Sequence, residues 1–174
     1  MESSKNLILV GMMGSGKTLI GKLISKKTKL KFIDIDIKIE EKEKMKISEI
    51  FKKKGEKYFR EREEEITLSY LRGEKQILSL GGGAYINTNI RRESKKNSFS
   101  FWLNWKKDII LKRINGSKKR PLAMRLTVAD LDKLINERAK IYNLADFTIN
   151  CDQLNKNEIV NKIIKKYESK NNKS

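Results

Sequence analysis

An apolar run, Leu7-Ile8-Leu9-Val10, leads directly into Gly11-Met12-Met13-Gly14-Ser15-Gly16-Lys17-Thr18, and this junction leaves the chain few folds to adopt. The segment fills the pattern G-x-x-x-x-G-K-[ST], and each part has a physical reason. A buried parallel strand delivers the backbone, glycines let it curl until successive N–H groups point inward, and the next helix begins at the ligand, where its dipole favours an anion. Leu19, Ile20, Leu23 and Ile24 recur at helical spacing just beyond it, which is the context the motif requires. The segment therefore reads as a phosphate-binding loop rather than a plain Gly-rich turn. Gly14, Ser15, Gly16, Lys17 and Thr18 would hold the phosphates of a nucleoside triphosphate. Lys17 reaches the β- and γ-phosphates, and the Thr18 hydroxyl is placed to ligate the accompanying Mg²⁺.

No repeat or Pro/Gly/Ser-rich linker divides the 174 residues, so a single domain is expected. Histidine is absent and Cys151 is the only cysteine, which removes Ser-His-Asp triads, His/Cys zinc sites and disulfides from consideration. Catalysis is left to carboxylates, lysine, arginine and a hard metal. A balance of 40 basic to 22 acidic residues, net +18, calls for an anionic partner, and a nucleotide qualifies. Nucleic acid is not expected. Of the cations, 31 are lysines, scattered in short groups such as Lys52-Lys53-Lys54 without interleaved stacking aromatics. A cytoplasmic location is expected from the absence of disulfides and of any membrane-length apolar run. The stretch Leu7 to Met13 imitates a signal peptide only superficially, being short and broken by Gly11.

Periodicity predicts strands at 6–10, 31–34, 76–80, 99–103 and 147–150, and helices at 16–28, 36–44, 48–72 (broken near Gly55), 87–95, 106–113, 127–143 and 156–168. Such alternation implies parallel βαβ units with the site at the carboxyl ends of the strands. The 99–103 strand alternates enough to fit an edge. Asn155-Lys156-Asn157-Glu158 reads as the cap of the last helix.

Four further groups fall where such a sheet would present them. Asp34-Ile35-Asp36 closes the second strand, where two carboxylates facing one way could hold Mg²⁺ through water and accept a hydroxyl proton, although an Asp there also suits a helix cap. Arg60 and Glu63 share a helix face, either as a guanidinium held ready for an anion or as a surface ion pair. Gly81-Gly82-Gly83 follows the third strand, removing side chains where a ligand approaches, or simply making a turn. The basic stretch from Arg113 to Arg120-Pro121-Leu122 fits a lid that brings Arg120 to a transferring phosphoryl group, or merely a basic loop.

Taken in order, these motifs, with Arg138 four residues before Tyr142, resemble the shikimate kinase family over about residues 6 to 150. The resemblance implies an α/β P-loop kinase in three layers, with a five-stranded parallel sheet in the order 2-3-1-4-5 flanked by helices. It implies a substrate-binding region at about 34–62, a mobile lid at about 114–126 and a disordered tail at about 169–174. The implied activity is transfer of the ATP γ-phosphoryl group to the 3-hydroxyl of shikimate, in the route to chorismate and the aromatic amino acids, by an expected monomer using ATP and Mg²⁺. Residue by residue, Asp34 and Thr18 would serve magnesium, Asp36 the attacking hydroxyl, and Arg60 and Arg138 the shikimate carboxylate. Glu63 would orient Arg60, Gly82 and Gly83 would line the pocket, Arg113 would pack on adenine, and Lys17 and Arg120 would stabilise the phosphoryl group in flight. Arg138-Ala139-Lys140-Ile141-Tyr142 stands where the family commonly has Arg-x-Pro-Leu-Tyr.

Overall fold

Leu7 through Val10 are fully buried, and their side chains divide by parity between two cores, which places β1 (Asn6–Val10) at the centre of a sheet covered on both faces. Leu7 and Leu9 join Ile20 and Ile24 of α1 (Lys17–Thr28) and Ile159, Val160 and Ile163 of α7 (Lys156–Asn171). Ile8 and Val10 face the other layer, formed by α2 (Ile35–Glu43), α3 (Ile47–Leu71), α4 (Thr88–Asn97), α5 (Lys107–Asn115) and α6 (Val128–Tyr142). The computed structural model describes residues 5–115 and 126–171.

The remaining strands are β2 (Phe32–Asp34), β3 (Ile77–Ser79), β4 (Ser98–Asn104) and β5 (Phe147–Asn150), all parallel, in the order β2-β3-β1-β4-β5. The order reverses on either side of β1, so the carboxyl ends of β1, β3 and β4 open on one crevice, where α/β sheets hold their ligands. The order and the three layers are those implied by the resemblance to the shikimate kinase family. β4, whose alternation also fitted an edge, lies between β1 and β5, as the implied order has it. Its alternation comes from polar residues buried for a reason. Ser100 donates to the Asp146 carboxylate at 2.6 Å and takes the Asp146 N–H at 2.8 Å, tying the entry of β5 to β4.

Helix ends follow local chemistry. Asn155 and Glu158 exchange hydrogen bonds around the start of α7, and Thr127 with Asp130 does the same for α6. A short 3₁₀ turn at Ala84–Ile86, not foreseen, leads into α4, which Asn87 caps. The tail expected to be disordered from Ser169 is helical through Asn171, because Tyr167 is buried and anchors the last turns by donating to the Lys5 carbonyl at 2.5 Å. The lid expected at about 114–126 lies largely outside the described residues, and Arg120 with it. None of the described helices is long and apolar enough to cross a membrane. Cys151 is buried, which pushes its thiol up to about 12 and removes it as a nucleophile.

α1 lies so close to the sheet that a Cβ on Gly21 would fall 2.2 Å from a ring carbon of Phe32. Gly21→Ala is therefore expected to lower unfolding free energy by about 1–3 kcal/mol through overpacking, despite a helix-propensity gain of about 1 kcal/mol. Equilibrium urea unfolding checks this, and a neutral or stabilised variant would contradict the close packing.

Candidate active site

The loop after β1 turns through Gly14 (φ 84°) and Gly16 (φ 88°), a region of backbone space that side chains rarely enter. α1 then starts with no side-chain cap and no acidic residue in its first turn. Its leading N–H groups are thus left for an anion. The Ser15 hydroxyl is buried there without a hydrogen-bond partner. Lys17 curls back so that its ammonium meets the carbonyls of Gly11 at 2.8 Å and Met12 at 3.1 Å, which holds its charge over the loop.

Thr18 donates to Asp34 Oδ2 at 2.6 Å. A hydroxyl and a carboxylate side by side at the mouth of a phosphate loop are hard oxygen donors, and they suit Mg²⁺, which takes the rest of its octahedron from phosphates and water. Among the described residues no cluster of three or more acidic, His or Cys side chains could hold a metal. Asp34 and Asp36 do not sit together on a strand end as expected. β2 stops at Asp34, which caps α2 by accepting the Asp36 N–H at 3.2 Å, and Asp36 lies in the first turn of that helix. Asp34 is thus a helix cap whose other oxygen faces Thr18, while the helical turn carries Asp36 across to the next pocket.

That pocket is built around the turn after β3. A Cβ at Gly81 would stand 2.7 Å from Asp36 Oδ1 and 2.8 Å from Glu63 Oε1; at Gly82, 3.2 Å from Arg138 Nη1; at Gly83, 2.5 Å from Arg60 Nη1. Each glycine yields its side-chain space to a different charged residue. Arg60 donates to Glu63 at 2.6 Å, and Glu63 is 3 % exposed. Arg138 is buried, with Nη1 3.8 Å from Met12 Sδ and its Nε unpaired, which leaves donor capacity for an anionic ligand. The Tyr142 hydroxyl donates to the Gly82 carbonyl and so locks α6 to the glycine turn. Burial, seconded by the Asp34 charge and opposed by Lys17, raises Asp36 to about 6. Burial likewise raises Glu63, against the pull of Arg60 and Arg138.

The structure brings together every expected residue that it describes, on two adjoining sides. Gly14, Ser15, Gly16, Lys17, Thr18, Asp34 and Arg113 gather at the loop; Asp36, Arg60, Glu63, Gly82, Gly83 and Arg138 gather at the glycine turn. Arg113 donates to the Gly14 carbonyl at 3.3 Å. Sequence reasoning missed Trp105, whose indole N–H donates to the Ser15 carbonyl at 2.9 Å and whose ring lies 3.8 Å beneath the Arg113 guanidinium. The one signal was an aromatic immediately after a strand on the site's side of the sheet. Gly81 was recognised only as part of the run, and Tyr142 only as part of a motif.

A family model for shikimate kinase matches residues 13–168. The shikimate kinase of Sulfurihydrogenibium sp. (strain YO3AOP1) is 41 % identical over 162 residues, which span 93 % of this chain and 97 % of that one. A solved shikimate kinase from Acinetobacter baumannii, in complex with shikimate, matches at TM-score 0.89 and 30 % identity, over 97 % of this chain and 96 % of that one. The Aquifex aeolicus shikimate kinase matches at TM-score 0.81 and 30 % identity, over 95 % and 97 %. With the phosphate loop, the strand order and the charged glycine turn all in place, the chain belongs to the shikimate kinase family.

Proposed function

We propose that this chain transfers the γ-phosphoryl group of ATP to the 3-hydroxyl of shikimate, giving ADP and shikimate 3-phosphate. The observation that carries the proposal is the convergence of Asp36, Arg60 and Arg138 on one glycine turn beside a phosphate-binding loop. The Arg60 guanidinium, half-buried and held by Glu63 and Glu56, and the buried Arg138, whose Nε is unpaired, offer donors to a carboxylate, and the acidic Asp36 faces the same space. An acceptor bearing both a carboxylate and hydroxyls fits this arrangement. A nucleoside monophosphate, which has no carboxylate, is not favoured by it; gluconate has one, and the match to the shikimate kinase family is what favours shikimate over it.

Arg60 and Arg138 bind and orient the carboxylate, and Glu63 fixes Arg60 in place. Asp36 accepts the proton of the attacking hydroxyl as its oxygen bonds to the γ-phosphorus and the bond to the β-phosphate oxygen breaks. With Asp36 raised to about 6, it is mostly ionised at neutral pH and still basic enough to draw that proton. Thr18 and Asp34 would hold Mg²⁺, which offsets charge on the β- and γ-phosphates when bound. Lys17 would reach the same phosphates, Arg113 and Trp105 flank the loop where the base would pack, and Arg120, outside the described residues, would add its charge to the transferring group. Positioning the two substrates supplies up to about 7–11 kcal/mol, and an arginine on the phosphoryl group about 10³–10⁵ in rate.

ADP release from Mg-ATP should require shikimate and should not occur with gluconate, a nucleoside monophosphate or no acceptor in parallel wells. Activity with another acceptor alone would overturn the proposal. In the same assay Arg60→Ala should mainly raise the shikimate KM, by roughly 10–100-fold, while Arg120→Ala should lower kcat by about 10³. Equal, small effects would contradict the two roles.

Asp36 yields a second expectation with a definite sign. Its folded value, about 6, lies above the ordinary 3.8, so folding favours the protonated form. The associated stability is present below about pH 4 and is lost as pH rises through 6. Asp36→Asn is expected to cost at least about 10² in kcat, while raising Tm at pH 8 by a few degrees more than at pH 5. Thermal scans at the two pH values check this, and a variant less stable than wild type at pH 8 would contradict it.

A further inference from the structure

α2 and α3, two of the helices that shape the acceptor pocket, are also joined outside it through the carboxylate of Glu43. α2 opens with Asp36 at the pocket and closes with Glu43. α3 is not continuous: Gly55 has φ 84° and ψ 170°, and only the part beyond this break carries Arg60 and Glu63. Where the helical ladder is interrupted, side chains must set the angle between the halves. On the apolar side the Phe51 and Phe59 rings span the break, 4.6 Å apart. This contact is close but not directional.

On the polar side stands Glu43, with its side chain only 5 % exposed. It accepts from Lys54 Nζ at 2.8 Å, just before the break, and from the Tyr58 hydroxyl at 2.8 Å and Arg62 Nε at 2.7 Å, both beyond it. Arg62 also pairs with Glu65, which accepts from Lys42 of α2 at 3.1 Å, so the network runs on along the surface. The Lys54 hydrogen bond foremost, with those of Tyr58 and Arg62, outweighs burial and holds Glu43 down to about 2. The carboxylate is therefore charged at any working pH, and its three charge-assisted or hydroxyl bonds have fixed directions. Arg62 is two residues from Arg60, nearly opposite on the helix, so gripping Arg62 from outside sets where Arg60 stands inside.

We infer that Glu43 is a positioning residue for the acceptor: by holding both sides of the Gly55 break from the end of α2, it sets the place of Arg60 relative to Asp36 and hence the affinity for shikimate. The inference rests on the proposed acceptor. Glu43 makes none of its hydrogen bonds to the phosphate loop, so nucleotide binding and turnover at saturating acceptor are independent of it.

Initial rates with shikimate and ATP varied separately test this on wild type, Glu43→Gln and Tyr58→Phe, the last removing one hydroxyl from a partly exposed position. Shikimate KM should rise about 5–20-fold in Glu43→Gln and about 2–4-fold in Tyr58→Phe, with kcat and ATP KM within about two-fold of wild type. If Glu43→Gln does not fold, the Tyr58→Phe shift alone decides. An unchanged shikimate KM overturns the inference, as does a fall in kcat with both KM values constant, the signature of a purely structural role. Failure of wild type to use shikimate would instead remove the acceptor reading, and this inference with it.

Discussion

Three successive glycines at the end of β3 allow one small volume to hold two carboxylates and two guanidinium groups. Any side chain at Gly81 would occupy the space of Asp36 and Glu63, and one at Gly83 would displace the Arg60 guanidinium. The surrounding scaffold delivers these groups from separate directions. Asp36 comes from the turn that starts α2, Arg60 and Glu63 from beyond the break in α3, and Arg138 from α6, which Tyr142 fastens to the Gly82 carbonyl. The parallel sheet matters because it brings this turn alongside the phosphate loop, so that acceptor and nucleotide share one crevice.

The charges in that crevice are not arranged for stability. Glu63 is buried and Asp36 half-buried, and both are raised, each partly compensated by a cation that a ligand would also use. Buried charge with incomplete pairing is costly, and such sites are where catalytic groups acquire their working pKa. The outer network at Glu43 behaves in the opposite way. There a carboxylate has three donors and is held near 2, so it stays ionised and serves as a fixed anchor rather than a titrating group. One pair of helices thus carries an electrostatically tense face at the substrate and a satisfied face away from it.

Much of this was legible in the residues. The phosphate loop, the five strands and the break at Gly55 follow from apolar periodicity and glycine placement, which are local signals. What was not legible depends on residues far apart in sequence. Which charged group meets which glycine is decided by the packing of α2, α3 and α6 around one turn. Ser100 could be mistaken for the outward residue of an edge strand because its partner, Asp146, is 46 residues away. Trp105 carried no motif, yet it supports both the Ser15 carbonyl and Arg113. Asp34 fitted two descriptions, helix cap and metal-side carboxylate, and the fold shows it as the cap of α2 with Thr18 on its other oxygen.

The central claim is that the empty side-chain volume of the glycine turn is what lets the acceptor clamp form. Calorimetric titration of shikimate and, separately, of ADP into Gly83→Ala tests it most directly. Gly83 has φ −100°, which alanine adopts without strain, and the clash falls on the far end of the flexible Arg60 side chain, so the fold should survive. Shikimate affinity should fall by at least about ten-fold with ADP affinity unchanged, since only the clamp arginine is displaced. Shikimate binding as tight as in wild type would contradict the account.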